Sequence, residues 1–268
     1  MPPALPLPEA TPTLSAPADW RAIDFMSDLH LAANTPRAFV AWATHLRHSR
    51  ANAIFILGDL FDVWVGDDMA ERGFEARCVD VLRAASEHKT IAFMAGNRDF
   101  LVGDALLAAC GVVRLADPTV VAAFGERALV SHGDALCLGD VAYQRYRSVV
   151  RRPGLQSAFR TLPSAARRAI GRALRKSSSR REPRAAGDHV DADAVATLGW
   201  ARMARVATLV HGHTHAPASH VVAEGIVRHV LSDWDLDGGG APRAEVLRWQ
   251  ASGFSRIAPE AAPASVDP

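Results

Sequence analysis

The chain has 268 residues, 49% of them hydrophobic and 22% charged, a balance of ordinary globular proteins that excludes disordered and fibrous readings. That length lets one α/β domain bury a full core, with an insertion more natural than a second domain. The net charge of +1 hides an asymmetry, because residues 145–184 carry 13 Lys and Arg against one acidic residue, Glu182, while the remainder holds 17 basic and 28 acidic residues.

A basic segment on an acidic body suits phosphates, nucleic acid or anionic lipid, although a solvated helical face is the plainer reading. Three cysteines, Cys78, Cys110 and Cys137, lack CxxC spacing. They argue against a disulfide framework or a zinc ribbon and fit a reducing cytoplasm. No apolar run reaches the roughly 18 residues that span a bilayer, and the first residues lack the basic start and apolar core of a signal peptide.

Residues 1–19 and 251–268, rich in Pro and Ala, read as tails without chemistry. Between them, residues 20–250 read as one domain. An apolar run at 23–26, a helical pattern at 36–50 and a second apolar run at 53–57 make a βαβ opening. A helix at 70–88 and a strand at 90–94 follow, with further strands at 120–121, 127–130 and 208–210, so the core is layered α/β. Runs at 219–222, 226–231 and 245–249, divided by short Gly-containing turns, read as antiparallel pairing in a second sheet. The basic stretch at 140–190, broken by Pro153 and Pro163 and closing in the polar run 177–181, reads as a helical cap.

Five motifs carry chemistry, and most sit where an apolar strand ends, the place an open α/β sheet offers ligands. Asp28 and His30 stand two apart in Ser27-Asp28-Leu29-His30 and can point to one side of an extended chain. Asp59 follows a buried strand in Gly58-Asp59-Leu60-Phe61-Asp62, where the glycine allows close backbone approach. Gly96-Asn97-Arg98-Asp99 offers an amide oxygen and a guanidinium for phosphate oxygens. Ser131-His132-Gly133-Asp134 is the fourth. His211-Gly212-His213-Thr214-His215 is the sharpest, because three alternating histidines are hard to explain as packing.

Each of the first three turns taken alone is more often a structural turn or cap. Together Asp28, His30, Asp59, Asn97, His132, His213 and His215 form a mixed oxygen and imidazole set that suits manganese or iron better than thiolate-bound zinc. Seven ligands exceed the needs of one ion, so two divalent ions bridged by Asp59 are expected. His211 reads as a support to the ligands. His45, His48, His88, His189, His220 and His229 read as surface or packing.

The order DxH, GD, GN, HGD, GHTH over residues 23–230 resembles the calcineurin-like metallophosphoesterases. That resemblance implies a four-layer α/β/β/α sandwich with a helical cap insertion. The longer strings Ser27 to Leu31, Gly58 to Asp68, Gly96 to Phe100 and Ser131 to Cys137, with Tyr143-Gln144 after Asp140, resemble the branch that cleaves the pyrophosphate bond of UDP-2,3-diacylglucosamine in lipid A synthesis. By the resemblance, Asp28, His30, Asp59 and His215 serve one metal and Asp59, Asn97, His132 and His213 the other, both most readily Mn2+. Asn97, Arg98, Asp140 and His213 would touch substrate, and Asn97, Arg98 and His213 would act in catalysis.

Arg98 replaces the histidine that many family members carry after GN. A departing phosphate monoester is stable without a proton, so charge stabilisation by arginine can stand in for an acid, which favours a pyrophosphatase over a phosphomonoesterase. Leu155, Phe159, Leu162, Ile170 and Leu174 of the cap offer surface to acyl chains, and the arginines face anionic lipid. The expectation is a monomer held peripherally on the cytoplasmic face of the inner membrane. Ala216 departs from the arginine usual after the last histidine, and the cap contacts to substrate do not align over 175–184. Competing readings are a dinuclear phosphodiesterase or phosphatase acting on nucleotides and a non-catalytic binding protein. Nucleic acid is disfavoured because only Tyr146 and Phe159 interleave the arginines.

Overall fold

Apolar runs bounded by polar turns become strands buried on both faces. In the computed structural model, which describes residues 6–179 and 191–261, the chain opens with β1 (Thr13–Ser15), β2 (Ile23–Met26), α1 (Pro36–His48) and β3 (Ala53–Leu57). A 3-10 turn at Asp67–Glu71, α2 (Phe74–Ser86), β4 (Thr90–Met94), α3 (Asp104–Ala109) and β5 (Val113–Leu115) follow. Next come β6 (Thr119–Ala123), β7 (Glu126–Ser131), α4 (Val141–Val150), α5 (Pro153–Arg160) and α6 (Ser164–Ser179). The chain closes with α7 (Ala194–Ala204), β8 (Thr208–His211), β9 (Ala218–Ala223), β10 (Ile226–Val230), β11 (Val246–Gln250) and β12 (Gly253–Ile257).

Two six-stranded sheets result, ordered β12-β11-β2-β3-β4-β5 and β1-β6-β7-β8-β10-β9. Strand alternation divides the core. Ile23, Phe25, Phe55, Met94, Val121, Val130, Val210 and Trp249 meet between the sheets. Met26, Ile54, Ile56 and Phe93 face the other way, onto Trp42 and Leu46 of α1 and Val79 and Leu82 of α2. Val120, Leu129 and Leu209 pack on Ala196, Trp200 and Ala201 of α7. These are the four layers, α/β/β/α, that the resemblance implies. Helices α4 to α6 stand outside them, and α6 lies across residues 63–65 so closely that a Cβ on Gly171 would sit 2.7 Å from Val65 Cγ1.

Three expectations change. Part of each supposed tail is strand: β1 pairs parallel with β6 and β12 pairs antiparallel with β11. Three residues with only Leu14 apolar leave no periodic signal, and the pairing comes from a partner over a hundred positions away. Residues 1–5 and 262–268 lie outside the described residues, as do Arg180, Arg181 and His189. The antiparallel runs after Val210 do not make up one sheet, because β9 and β10 extend β8's sheet whereas β11 crosses back beside β2. Helix α7 had no counterpart in the sequence reading; Asp193 caps it, accepting from Ala196 N at 2.8 Å.

One buried charge braces the layers. Asp24, wholly buried in β2, accepts from His45 Nε2 at 3.1 Å, Ser49 Oγ at 2.6 Å, and Arg248 Nε and Nη2 at 2.7 and 2.9 Å. Burial alone would raise its pKa, but the hydrogen bonds from Arg248, His45 and Ser49 and the Arg248 charge outweigh it and bring the carboxyl to about 2. A folded-state pKa below the unfolded value stabilises above the unfolded pKa and is lost as pH falls through the folded one. Urea unfolding should show the stability gap between wild type and Asp24→Asn narrowing by about 2 kcal/mol between pH 5 and pH 2. A gap that stays constant over that range would refute the assignment.

Candidate metal centre

Strands β2, β3, β4, β7 and β8 each run directly into one of the five motifs. Five residues of these turns, Asp28, His30, Asp59, His213 and His215, take left-handed φ values between 49° and 67°. That region is sparsely populated by non-glycine residues, so the surrounding packing holds them there. Two glycines let the second and third turns touch: a Cβ on Gly58 would lie 2.7 Å from Gly96 Cα, and one on Gly96 would lie 2.1 Å from Asp59 Oδ1 and 2.4 Å from Asp59 N. Gly96→Ala should therefore shift Asp59 and lower kcat on the order of 100-fold, as small misplacements of reacting groups do. Steady-state assays beside thermal melts check this, and a kcat within threefold of wild type would count against it.

All seven expected ligands converge. Donor atoms of Asp28, His30 and His215 lie within 4.8 Å of one another, as do those of Asp28, Asp59 and His132. His215 Nε2 is 3.4 Å from Asp28 Oδ1 and 3.3 Å from His30 Nε2. Asp59 stands between the two halves, Oδ2 at 4.0 Å from His30 Nδ1 and Oδ1 at 3.8 Å from His132 Nε2. Asn97 Oδ1 lies 2.9 Å from both His132 Nε2 and His213 Nδ1.

The donor set fits divalent cations. Asp28 Oδ1 and His30 Nδ1 are buried without hydrogen-bond partners, and His132 Nδ1 donates to Leu57 O at 2.9 Å, which turns Nε2 toward the cluster. Burial would lower the pKa of His132, but Asp59, Asp28, Asp134 and Asp117 outweigh it and push it up to about 9, the response of a site rich in carboxylate to a shortage of positive charge. Burial and then His132 bring His213 down to about 3, leaving it neutral, the form that metal binding requires of an imidazole. Oxygen and imidazole donors with no thiolate suit hard to borderline ions.

The calcineurin-like phosphoesterase family model matches residues 22–217, a range that includes all seven expected ligands. The chain belongs to the calcineurin-like phosphoesterases. Over 220 residues it is 41% identical to the UDP-2,3-diacylglucosamine hydrolase of Stutzerimonas stutzeri, covering 80% of this chain and 91% of that protein. It is 41% identical over 221 residues to the same-named hydrolase of Pseudomonas aeruginosa, covering 80% and 91%. To that of Aromatoleum aromaticum it is 40% identical over 236 residues, covering 85% and 93%. As a member of this family the protein is a metal-dependent hydrolase.

Around its ligands this phosphoesterase places carboxylates that the sequence reading left without a role. Asp99 gathers backbone N–H groups from two motif turns, accepting from Gly96 at 2.8 Å, Asp59 at 3.3 Å and Leu60 at 2.7 Å. Burial first, and then Asp59, raise it to about 7. Asp62 Oδ1 receives Arg98 Nη1 at 2.9 Å and Arg175 Nε at 2.7 Å, which joins the turn of Arg98 to α6. Asp233 lies 3.9 Å from His215 Nδ1 and holds Arg243 by two bonds of 2.7 and 2.6 Å. Asp62, Asp99 and Asp134 stand inside the motif strings and were visible as such, whereas nothing local marks Asp233.

Arg98 itself is 3.4 Å from Asp59 Oδ2. Asp140 is exposed at the N-cap of α4, where Oδ1 accepts from Tyr143 N at 2.9 Å. His211 is buried, its Nδ1 donating to Gly212 O at 2.8 Å, and Ala216 is exposed. His45, expected to be surface or packing, is a buried partner of Asp24.

Proposed function

We propose that this phosphoesterase hydrolyses the pyrophosphate bond of UDP-2,3-diacylglucosamine, with water attacking the α-phosphorus to release UMP and 2,3-diacylglucosamine 1-phosphate. The observation that carries the reading is the convergence of all seven donors beside Arg98, in a chain about 40% identical, over four fifths of its own length, to hydrolases of that name across more than nine tenths of theirs. Divalent cations held at this site, Mn2+ in our reading, would lower the pKa of a water nucleophile and offset charge on the phosphoryl oxygens. Asp28, His30, Asp59 and His215 would hold one and Asp59, Asn97, His132 and His213 the other; Asp59 Oδ2 faces His30 and its Oδ1 faces His132.

Arg98, held beside Asp59 and Asp62, faces the phosphates and stabilises the charge that builds as the bond to the α-phosphorus breaks. The leaving phosphate monoester departs as an anion, so no acid is needed at that oxygen. Asn97 and His213 flank the reacting phosphate, and Asp140 at the start of α4 contacts the substrate. The insertion at 140–190 is the cap that receives the acyl chains. Leu155, Leu162, Ile170 and Leu174 are exposed there among arginines, which supports peripheral contact with an anionic lipid surface; we read the protein as a monomer on the cytoplasmic face of the inner membrane. No helix among the described residues is long and apolar enough to cross a membrane.

The test is hydrolysis of UDP-2,3-diacylglucosamine by the purified chain with Mn2+, reading UMP and lipid phosphate separately. Release of both products in equal amounts is expected. Turnover of simple phosphodiesters with the lipid untouched would keep the family and overturn the substrate.

A further inference from the structure

Helix α4 is fixed to the body without fully burying any of its side chains, so apolar area contributes little to holding it. Its inward stripe is Tyr143, Arg147 and the C-capping Arg151, four residues apart and therefore on one face. All three end on the same oxygen. Tyr143 Oη donates to Asp134 Oδ2 at 2.6 Å, Arg147 Nε at 2.8 Å and Arg151 Nη2 at 3.2 Å. Gln144 Nε2 adds bonds to the carbonyl oxygens of Asp134 at 2.7 Å and Cys137 at 3.1 Å.

The same stripe reaches two further motif turns. Arg151 Nη2 donates to Gly96 O at 3.2 Å and its guanidinium lies 6.0 Å from the centre of the Phe100 ring. The Tyr143 ring lies 5.5 Å from that of His213. Asp134 has no exposed surface, and among the described residues every side-chain donor to its carboxylate belongs to α4 or its cap. Removing these donors with α4 in place would leave a buried carboxylate unpaired, which is strongly unfavourable. Charge-assisted bonds at these lengths are the strong kind, so the carboxylate is a clamp and not a surface decoration.

We propose that Asp134 is a positioning residue: through Tyr143, Arg147 and Arg151 it fixes α4 against the turns of Asn97, His132 and His213, and so sets the wall of the cap past which the acylated substrate enters. The kinetic consequence rests on the reaction proposed above, whereas the docking itself does not. The discriminating variant is the double substitution Tyr143→Phe with Arg147→Gln in the full chain, with Asp134→Asn beside it.

Hydrogen exchange is followed in the presence of Mn2+ alone. In the double variant the amides of α4 should exchange at least ~30-fold faster than in wild type while those of β3 and β8 are unchanged. With substrate, KM for the diacylated nucleotide should rise about tenfold or more while kcat and the turnover of bis(p-nitrophenyl) phosphate stay within about threefold. A purely structural role would lower both turnovers together, and that result, or unchanged exchange in α4, overturns the proposal. Wild-type protein that leaves the lipid untouched overturns the reaction instead, and the exchange data alone then decide on Asp134.

Discussion

Asp59→Asn should abolish hydrolysis while leaving the protein at least as stable as wild type when assayed in chelator. The side chain is buried; its pKa is raised by burial first, with Asp28 adding to the rise against His132 and Arg98. Removing its charge relieves a concentration of carboxylates that includes Asp28 and Asp99, and asparagine keeps the Oδ1 acceptor for Arg98 N at 2.9 Å. The reacting centre loses the group that faces both halves, so kcat/KM should fall on the order of 1,000-fold. Metal binding by calorimetry should drop from two equivalents to one, as expected when a bridging ligand is removed. A variant that keeps two tight equivalents and a tenth of the activity would show that Asp28, which belongs to both donor groups, is the shared ligand instead.

Arg98→Ala should cost about 100-fold in kcat on the pyrophosphate substrate, the scale of one lost charge-stabilising donor. The guanidinium touches two carboxylates at once, Asp59 at 3.4 Å and Asp62 at 2.9 Å. Lysine is a single point charge and meets only one of them, so Arg98→Lys should recover at most about tenfold. The loss should be nearly the same for substrates whose leaving groups differ in basicity, because arginine stabilises charge and transfers no proton. A loss that grows steeply with leaving-group pKa would identify Arg98 as an acid and refute this account.

Much of the centre was legible because its ligands are encoded in local strings. A metal ligand after a buried strand is announced by the strand, by a neighbouring glycine and by the residue type, and all seven such positions meet in space. The α/β rhythm was equally plain in runs such as 53–57, which are apolar on both faces. What stayed hidden depends on distant partners. Strand β1 exists through its pairing with β6, and β11 returns to β2 by a topology that no local pattern records. The roles of Asp62, Asp134 and Asp233 come from arginines between 10 and 113 positions away, and a carboxylate in a turn looks the same with or without them.

The left-handed backbone at Asp28, His30, Asp59, His213 and His215 has a consequence for engineering. At roughly 1 kcal/mol or more per residue, these conformations are a reserve of stability that the chain leaves unused. Glycine at any of the five would relax the backbone and delete a ligand in the same step. A screen that selects this phosphoesterase for heat resistance alone would thus be drawn first to its ligand turns, and its hardiest survivors would be inert.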